Sequence, residues 1–244
     1  MIVMSIAGVD PSGGAGVFAD LKTFQALGVY GCGVVTALTA QNPYKFFSTK
    51  PVSPDYIEEE IDSVMDSYDV RFVKTGMLYS PDIIKLVSKK IKEYNLKAVV
   101  DPVMVATSGG DLTKEDIADA FNKYLLPKSI ITTPNVSEAE KLSGLEIKNK
   151  DDAIKATKNI KGNCFITGGH LDGINVINID GKLTIIKQKL LKTNNLHGSG
   201  CNLSSALTAF LALGNSLEES CVKSTDYVYE SIKNGDYGTL IAKI

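Results

Sequence analysis

The chain has 244 residues and a formal net charge of −2, because 26 lysines and arginines stand against 28 aspartates and glutamates. This balance, with no long run of either sign, does not favour nucleic acid or an anionic membrane surface as a partner. No apolar run approaches the roughly 20 residues that a membrane helix needs. The four cysteines are widely spaced and form no CxxC pair, which argues against a zinc site or a disulfide framework and predicts a cytoplasmic protein.

Apolar runs alternate with amphipathic stretches along the chain, which is typical of βαβ units and a mostly parallel sheet. The first unit consists of a strand at residues 2–7, the loop GVDPSGGAG and a helix that ends at Gly28. Further strands are predicted at residues 32–40, 70–74, 97–100, 129–133 and 164–167. Further helices are predicted at residues 53–67, from 80 onwards, at 114–124, 137–142 and 151–160, and from 217 onwards.

The pair Asp180-Gly181 is a strong hairpin signal between two apolar runs at residues 174–179 and 183–187. It predicts an antiparallel edge on the sheet. The sequence contains no linker, repeat or low-complexity tract. The simplest interpretation is therefore one α/β domain over residues 1–244.

The sequence HGSGC at residues 197–201 is the strongest candidate for chemistry. Apolar residues at helical spacing follow it, so Gly198, Ser199 and Gly200 are expected at a helix N-terminus, where free backbone N–H groups favour an anion. The same field is expected to lower the pKa of Cys201 in the first helical turn, which would suit a general base. The alternative interpretation is an ordinary glycine turn followed by a small buried cysteine.

Residues 14–19 fit GxGxxA, the pattern of a dinucleotide-binding loop, and suggest a dehydrogenase as a different class of enzyme. Two features argue against it. The first glycine of the pattern lies several residues past the strand end, and the next strand ends in Gln41, where an acidic ribose ligand is expected. The chain also has no GxxxxGK[ST] phosphate loop, so any nucleotide must be held in another way.

Polar groups accumulate at the predicted carboxyl ends of the strands, where open α/β sheets bind their ligands. Taken one at a time, each has an explanation as a turn or core residue, but together on one rim they predict a binding site. They are Gly8, Asp10, Gln41, Gly76, Met77, Asp101, Asn135, Glu138 and the residues at 167–170 and 193–201.

Seven sequence blocks occur in an order that covers nearly the whole chain: residues 5–31, TALTAQN, KTGML, DPVM, TPNVSEAEKLSG, GGH and HGSGC. Together they resemble the hydroxymethylpyrimidine/phosphomethylpyrimidine kinases of thiamine biosynthesis, which belong to the ribokinase superfamily. The resemblance implies a three-layer ribokinase-like fold with a mostly parallel central sheet flanked by helices. It also implies a homodimer that uses ATP and Mg²⁺ to phosphorylate 4-amino-5-hydroxymethyl-2-methylpyrimidine and then its monophosphate.

The same resemblance implies roles for individual residues. Cys201 would take the proton from the substrate hydroxymethyl group, and Gly198, Ser199 and Gly200 would stabilise the transferred phosphoryl group. The pyrimidine pocket would be lined by Gln41, Gly8, Met77 and Val103. ATP would be bound by Asn135, Glu138, Thr167 and Thr193, and Mg²⁺ would lie near Asp101 and Glu138.

Three positions depart from the family's pattern. Thr167 stands where many members carry lysine, Leu196 replaces a usual threonine, and the segment KNGDYGTLIAKI stands where a glycine-rich GxGP segment is usual. Threonine before GGH is similar to pyridoxal kinase-like members with the same cysteine, so a pyridoxal or pyridoxine kinase is the alternative activity. The altered C-terminal segment also leaves open a kinase-like sensor that binds the pyrimidine without turnover.

Overall fold

A mixed β-sheet forms the centre of the computed structural model, which describes residues 1–104 and 117–242. The strands are β1 (Ile2–Val9), β2 (Tyr30–Asn42), β3 (Lys45–Pro51), β4 (Phe72–Thr75), β5 (Lys97–Val100), β6 (Ser129–Thr132), β7 (Cys164–Ile166), β8 (Ile174–Ile179) and β9 (Lys182–Lys187). In the described residues these nine strands follow one another in the order β3-β2-β1-β4-β5-β6-β7-β8-β9.

The centre of the sheet is parallel and both edges are antiparallel. The pairs from β2 through β1, β4, β5 and β6 to β7 are parallel, whereas β8 and β9 form the hairpin predicted around Asp180-Gly181. The second antiparallel edge, β3, is not predicted by the sequence. The Asn42 side chain accepts hydrogen bonds from the N–H groups of Tyr44 and Lys45, and this tight turn folds the chain back beside β2.

Most helices begin at residues whose side chains satisfy the first free N–H groups. They are α1 (Gly16–Ala26), α2 (Pro54–Ser67), α3 (Pro81–Glu93), α4 (Ala118–Ala120), α5 (Val136–Ser143), α6 (Lys150–Asn159), α7 (Ser199–Ala212) and α8 (Leu217–Lys233). Ser53 accepts a hydrogen bond from the Tyr56 N–H at the start of α2, and Ser216 and Glu219 form the predicted capping box of α8. These local caps explain why most helix starts are predicted to within a few residues.

One predicted helix, at residues 114–124, lies partly outside the described residues. Its described part is α4, which continues as a π-helical turn at Phe121–Leu125 and a 3₁₀ turn at Leu126–Lys128. In the described residues no helix is both long and apolar enough to cross a bilayer.

Helices α2 to α6 cover one face of the sheet, and α1, α7 and α8 cover the other. Alternate strand residues pack into these two layers, so that Val73 of β4 belongs to the core under α2 and α3. Lys74, the next residue, points to the opposite face, where it contacts α1 and comes close to the N-terminal part of α7. A charged side chain thus occupies a position on the α1/α7 face where the neighbouring strands place Ser5 of β1 and the apolar Val99 of β5.

Candidate active site

A pocket of about 470 Å³ lies at the carboxyl ends of the parallel strands. Every residue to which the family resemblance assigns a role, except Thr193, lines it: Gly8, Gln41, Met77, Asp101, Val103, Asn135, Glu138, Thr167, Gly198, Ser199, Gly200 and Cys201. Asp10 of the predicted rim lies outside this lining. Thr193 lies outside this lining, and its hydroxyl accepts a hydrogen bond from the Asn195 N–H. The fold therefore gathers residues that are scattered over almost two hundred positions of sequence.

The HGSGC turn forms the N-terminus of α7, as predicted. Gly198 has a φ of 84°, and a Cβ at this position would collide with the Gly14 carbonyl oxygen. Only glycine allows this close approach of two backbones. Ser199, Gly200 and Cys201 form the first turn of α7 and line the pocket. The first N–H groups of a helix have no partner within it, and here the Ser199 N–H donates to the Leu196 carbonyl at 3.1 Å. The turn is therefore suited to bind an anion.

Cys201 is half-buried in the pocket wall, on the first turn of α7. Burial raises the pKa of its thiol to about 12, although the positive charge of Lys74 and the Gly16 N–H lower it. Asp101 and Asp20 raise it further. The expectation that the helix terminus lowers this pKa is therefore wrong, because loss of solvent around the sulfur outweighs the helix field.

Two acidic side chains converge at the ends of β5 and β6. Asp101 accepts a hydrogen bond from the Ser204 hydroxyl at 3.0 Å, and Glu138 accepts from the N–H groups of Asn135 at 2.9 Å and Met104 at 3.4 Å. Burial raises the pKa of Asp101 to about 6. Burial, together with the charge of Asp101, raises the pKa of Glu138 to about 8. A cation between these groups would relieve both effects.

The carboxyl pair fits a divalent ion that takes most of its ligands from elsewhere. Within residues 1–104 and 117–242, no group of three histidine, cysteine, aspartate or glutamate side chains is placed to hold a metal ion. Mg²⁺ commonly binds through one or two carboxylates and completes its shell with water and phosphate oxygens. The residues present therefore fit Mg²⁺ brought in with a nucleotide better than a resident metal.

The other end of the pocket is apolar. Met77 packs with Ala37, Phe46 and Val103, and a Cβ on Gly8 would come within 2.5 Å of the Met77 Cε. The missing side chain at Gly8 thus leaves room for the Met77 methyl group. Phe46 belongs to β3, so its contribution to this wall could not be predicted from a sequence in which β3 was not recognised.

Comparison with known proteins gives a consistent answer. The family model described as phosphomethylpyrimidine kinase matches residues 10–240. The hydroxymethylpyrimidine/phosphomethylpyrimidine kinase of Bacillus subtilis is 37% identical over 240 residues, which cover 95% of this chain and 89% of that protein. The chain belongs to the phosphomethylpyrimidine kinase family.

Solved structures agree with this assignment. The phosphomethylpyrimidine kinase of Clostridium difficile superposes with a TM-score of 0.82 at 38% identity, covering 95% of this chain and 99% of that one. An ADP complex of the Bacillus subtilis pyridoxal kinase superposes with a TM-score of 0.87 at 36% identity, covering 95% and 91% of the two chains. The predicted ribokinase-like fold and phosphotransferase class are confirmed.

The C-terminal segment at residues 235–239 contacts the chain just before the HGSGC turn. The Gly238 carbonyl accepts a hydrogen bond from the His197 N–H at 3.3 Å, and the Thr239 hydroxyl donates to the His197 carbonyl at 3.0 Å. The Asn195 amide donates to the Gly235 carbonyl and accepts from the Gly238 N–H. The turn at residues 235–239 therefore clamps the chain just before the HGSGC helix.

A second contact fixes the same turn from the other side. The Nε2 atom of His197 is 2.7 Å from the Asp10 carboxylate, which also accepts hydrogen bonds from the N–H groups of Ser12 and Ala15. Asp10 belonged to the predicted rim, but its pairing with His197 joins positions 187 residues apart and has no local signal. In this member of the family, two loops and the C-terminal turn together hold the anion site.

The remaining departure, Thr167, lies half-buried in the pocket wall directly before a 3₁₀ turn at Gly168–His170. The Gly168 N–H donates to the Asn175 side chain at 2.7 Å, which fixes this wall to β8. A threonine hydroxyl offers a hydrogen bond but no charge. Thr167 therefore contributes no charge to balance a phosphate bound there, whereas Lys189 of the same lining carries one.

Proposed function

We propose that the protein transfers the γ-phosphoryl group of ATP to 4-amino-5-hydroxymethyl-2-methylpyrimidine and then to its monophosphate. The observation that carries this proposal is the meeting of three parts in one pocket. These parts are the anion-binding turn with Cys201, the apolar wall around Gly8 and Met77, and the buried carboxyl pair of Asp101 and Glu138. Phosphoryl transfer needs positioning and charge stabilisation of this kind rather than covalent chemistry by the protein.

The apolar end of the pocket would bind the pyrimidine ring. Met77 and Val103 would contact its faces, and Gly8 would leave room for the Met77 side chain. Gln41 lines the same end, and its amide can both donate to a ring nitrogen and accept from an exocyclic amino group. A hydroxymethyl group on a ring held in this way would lie towards the HGSGC turn.

Cys201 would act as the general base in its thiolate form. The hydroxymethyl proton passes to Sγ while a bond forms between the substrate oxygen and the γ-phosphorus. The bond from that phosphorus to the β,γ-bridging oxygen breaks, and ADP leaves with the electron pair. Gly198, Ser199 and Gly200 at the start of α7 would stabilise the charge on the transferred phosphoryl group.

ATP would lie along the wall formed by Asn135, Glu138 and Thr167, with Thr193 at its border beside Asn195. Mg²⁺ held near Asp101 and Glu138 would neutralise phosphate charge during the transfer. The support is the raised pKa of both carboxyl groups, because such groups gain most from a nearby cation.

We also propose a cytoplasmic homodimer in which residues 1–244 act as one kinase domain. The support for a dimer is an exposed apolar surface on the β2–β3 hairpin, where Leu38, Tyr44 and Phe47 are more than half exposed. Sedimentation equilibrium would test it, and a monomer at micromolar concentration would contradict it.

The decisive experiment measures ADP release with ATP, Mg²⁺ and either the pyrimidine or its monophosphate. We expect turnover with both. Replacement of Cys201 by alanine should lower kcat about 10²- to 10⁴-fold, the usual contribution of a general base, with KM changed much less. The matched control is Cys221→Ala, which also removes a buried thiol but from α8 outside the pocket lining.

Two results would overturn the proposal. Absence of ADP release with either pyrimidine would exclude the activity, and ligand-dependent thermal stabilisation without turnover would instead support a sensor. An unchanged kcat in Cys201→Ala would remove the base from the mechanism.

A pyridoxal kinase is the second candidate, because Thr167 is uncharged and the ADP-bound pyridoxal kinase of Bacillus subtilis is similar over most of its length. The ratio of kcat/KM for pyridoxal and for the pyrimidine separates the two activities. We expect the ratio to favour the pyrimidine.

A further inference from the structure

Lys74 lies beneath the pocket with its side chain completely buried. Its Nζ atom is 3.0 Å from both carboxylate oxygens of Asp20 and 3.9 Å from Oδ2 of Asp101. A Cβ on Gly76, which lines the pocket, would be 3.0 Å from the same nitrogen. The ammonium group therefore lies next to Gly76 but outside the pocket lining.

Asp20 holds the lysine and joins several elements. Besides Lys74 of β4, its carboxylate accepts hydrogen bonds from Ser5 of β1 at 2.5 Å and Ser205 of α7 at 2.7 Å. Burial lowers the pKa of the Lys74 ammonium, but the charges of Asp20, Cys201 and Asp101 outweigh burial and raise it. The lysine is therefore charged at neutral pH.

A buried ion pair of this kind contributes less to stability than its short distances suggest. Transfer of both charges from water costs several kcal/mol per ion, and apolar residues of similar volume often replace such pairs without loss of stability. Neither role proposed above for the pocket residues uses Lys74 or Asp20. Their position relative to α7 suggests what they contribute.

Cys201 precedes Ser204 and Ser205 by three and four residues on α7, so the three side chains share one face of the helix. Ser204 donates to Asp101 and Ser205 donates to Asp20, which fixes this face against the buried charges. Ser204 also approaches the Cys201 carbonyl at 3.1 Å, so one serine joins the residue that carries the thiol to the carboxylate that Lys74 approaches at 3.9 Å. Among the described charged groups that shift the pKa of this thiol, Lys74 is the cation.

We propose that Lys74, held in place by Asp20, is a positioning residue that stabilises negative charge on Cys201 and fixes the first turn of α7. Lys74 keeps its proton throughout, and the proton of the substrate hydroxyl goes to Sγ. The inference rests on the proposed role of Cys201 as the base. It deepens that role by naming the cation that supports the thiolate.

The test compares the reactivity of Cys201 with iodoacetamide in three variants, read residue by residue by mass spectrometry at pH 8 without substrate. Lys74→Met/Asp20→Asn removes both charges, and we expect alkylation of Cys201 to slow about tenfold, because one pKa unit changes the thiolate fraction tenfold at pH values below the pKa. Asp20→Asn alone removes only the anion, and alkylation should become faster. Lys74→Arg keeps the cation and should react within about threefold of the wild type.

The opposite changes in the alkylation rate of Cys201, slower in the double variant and faster in Asp20→Asn, distinguish an electrostatic role from a structural one. A purely structural pair would change Cys201 reactivity in the same direction in both asparagine variants, in proportion to the loss of thermal stability. The buried thiol of Cys164 serves as an internal measure of general unfolding. If the double variant does not fold, faster alkylation of Cys201 in Asp20→Asn with unchanged alkylation of Cys164 still supports the electrostatic role, whereas a parallel rise at both thiols would overturn it.

Turnover completes the test. We expect the double variant to lose kcat about tenfold or more, with KM for the pyrimidine within about threefold. Wild-type alkylation and wild-type kcat in the double variant would overturn the proposal. Absence of pyrimidine turnover in the wild type would overturn the proposed function instead, and the alkylation result would still decide the role of Lys74.

Discussion

Among the described residues, the buried lysines Lys74 and Lys90 both have carboxylate neighbours, but the exposure of these neighbours differs. Lys74 is completely buried, and its partner Asp20 is completely buried as well. Lys90 on α3 is 4% exposed, but its partners Glu58, Asp62 and Glu93 are 33%, 43% and 44% exposed. The first lysine lies beneath the pocket, whereas the second joins α2 to α3 at the protein surface.

The difference lies in what happens to the partners when the lysine is removed. Around Lys90, each carboxylate can turn to water, so the cluster contributes little beyond packing and a screened attraction. Around Lys74, no water reaches Asp20, and each charge depends on the other. A contact of about 3 Å between the same two chemical groups can thus be of small or large energetic importance, depending on the exposure of both partners.

The largest difference in the free energy of unfolding is expected between variants that each remove one carboxylate partner of the two lysines. Asp20→Ala should lower the free energy of unfolding by about 3–5 kcal/mol, because Lys74 remains buried without its partner. Asp62→Ala should lower it by less than about 1 kcal/mol. Urea denaturation of the two variants measures both values. Equal losses would show that burial of the partner does not decide the strength of these pairs.

The pH dependence of stability should show opposite signs in the two regions. The pKa values of Asp101 and Glu138 are raised to about 6 and about 8, so the folded state binds protons more tightly than the unfolded state. Stability should therefore fall as pH rises from about 4 to 8. The lysine ammonium groups lower the pKa of Glu58, and for Asp62 the hydrogen bonds from Lys90 and Tyr94 outweigh burial and lower it too. The contribution of Glu58 and Asp62 to the free energy of unfolding should therefore be lost as pH falls below about 4.

Thermal melting across this range provides the measurement. Glu138→Gln should flatten the slope above pH 5 and leave the acid limb unchanged, whereas Asp62→Asn should do the reverse. Addition of Mg²⁺ and ATP to the wild type should raise Tm more at pH 8 than at pH 6, because protonated carboxyl groups do not bind a cation. A slope that is unchanged in Glu138→Gln would contradict this account.

The smallest effect is expected at Lys90 itself. Lys90→Met keeps most of the side-chain volume, and the exposed carboxylates regain water, so the free energy of unfolding should change by about 1 kcal/mol or less. High salt should reduce even this difference, because exposed partners are screened. The kinetic constants should match those of the wild type. A clear loss of kcat would show that the α2–α3 cluster is coupled to the pocket.

Local signals predicted most of the fold. Serine and asparagine caps, proline at first helical positions and the Asp180-Gly181 turn each act within a few residues, so they can be recognised in the sequence. Strand β3 was missed because most of its side chains are exposed, so no buried side alternates with a polar one. Its position depends on the Asn42 turn and on pairing with β2, which the sequence does not display.

In the site, too, local features were predicted and contacts between distant parts of the chain were not. The HGSGC turn is local, and the structure has it where it was predicted. The capping box of Asn135 and Glu138 is equally local, but it was not predicted. The predicted direction of the Cys201 pKa shift was wrong because the burial of the thiol and the charges of Asp101 and Asp20 come from elements that are distant in sequence. Lys74 was predicted as the last residue of a strand, and nothing near it in sequence indicates a partner 54 residues away.

The contact between the two glycine loops also has a consequence for the order of events during synthesis. The Gly14 carbonyl lies against Gly198, and the Thr239 hydroxyl reaches both the Gly14 and His197 carbonyls. A ribosome that adds about 5–20 residues per second needs on the order of 10–45 s to pass from residue 16 to residue 239. The first loop of the pocket therefore lacks these contacts while the residues between 16 and 239 are translated. A nascent chain can form the parallel centre of its sheet long before it can bind a phosphate.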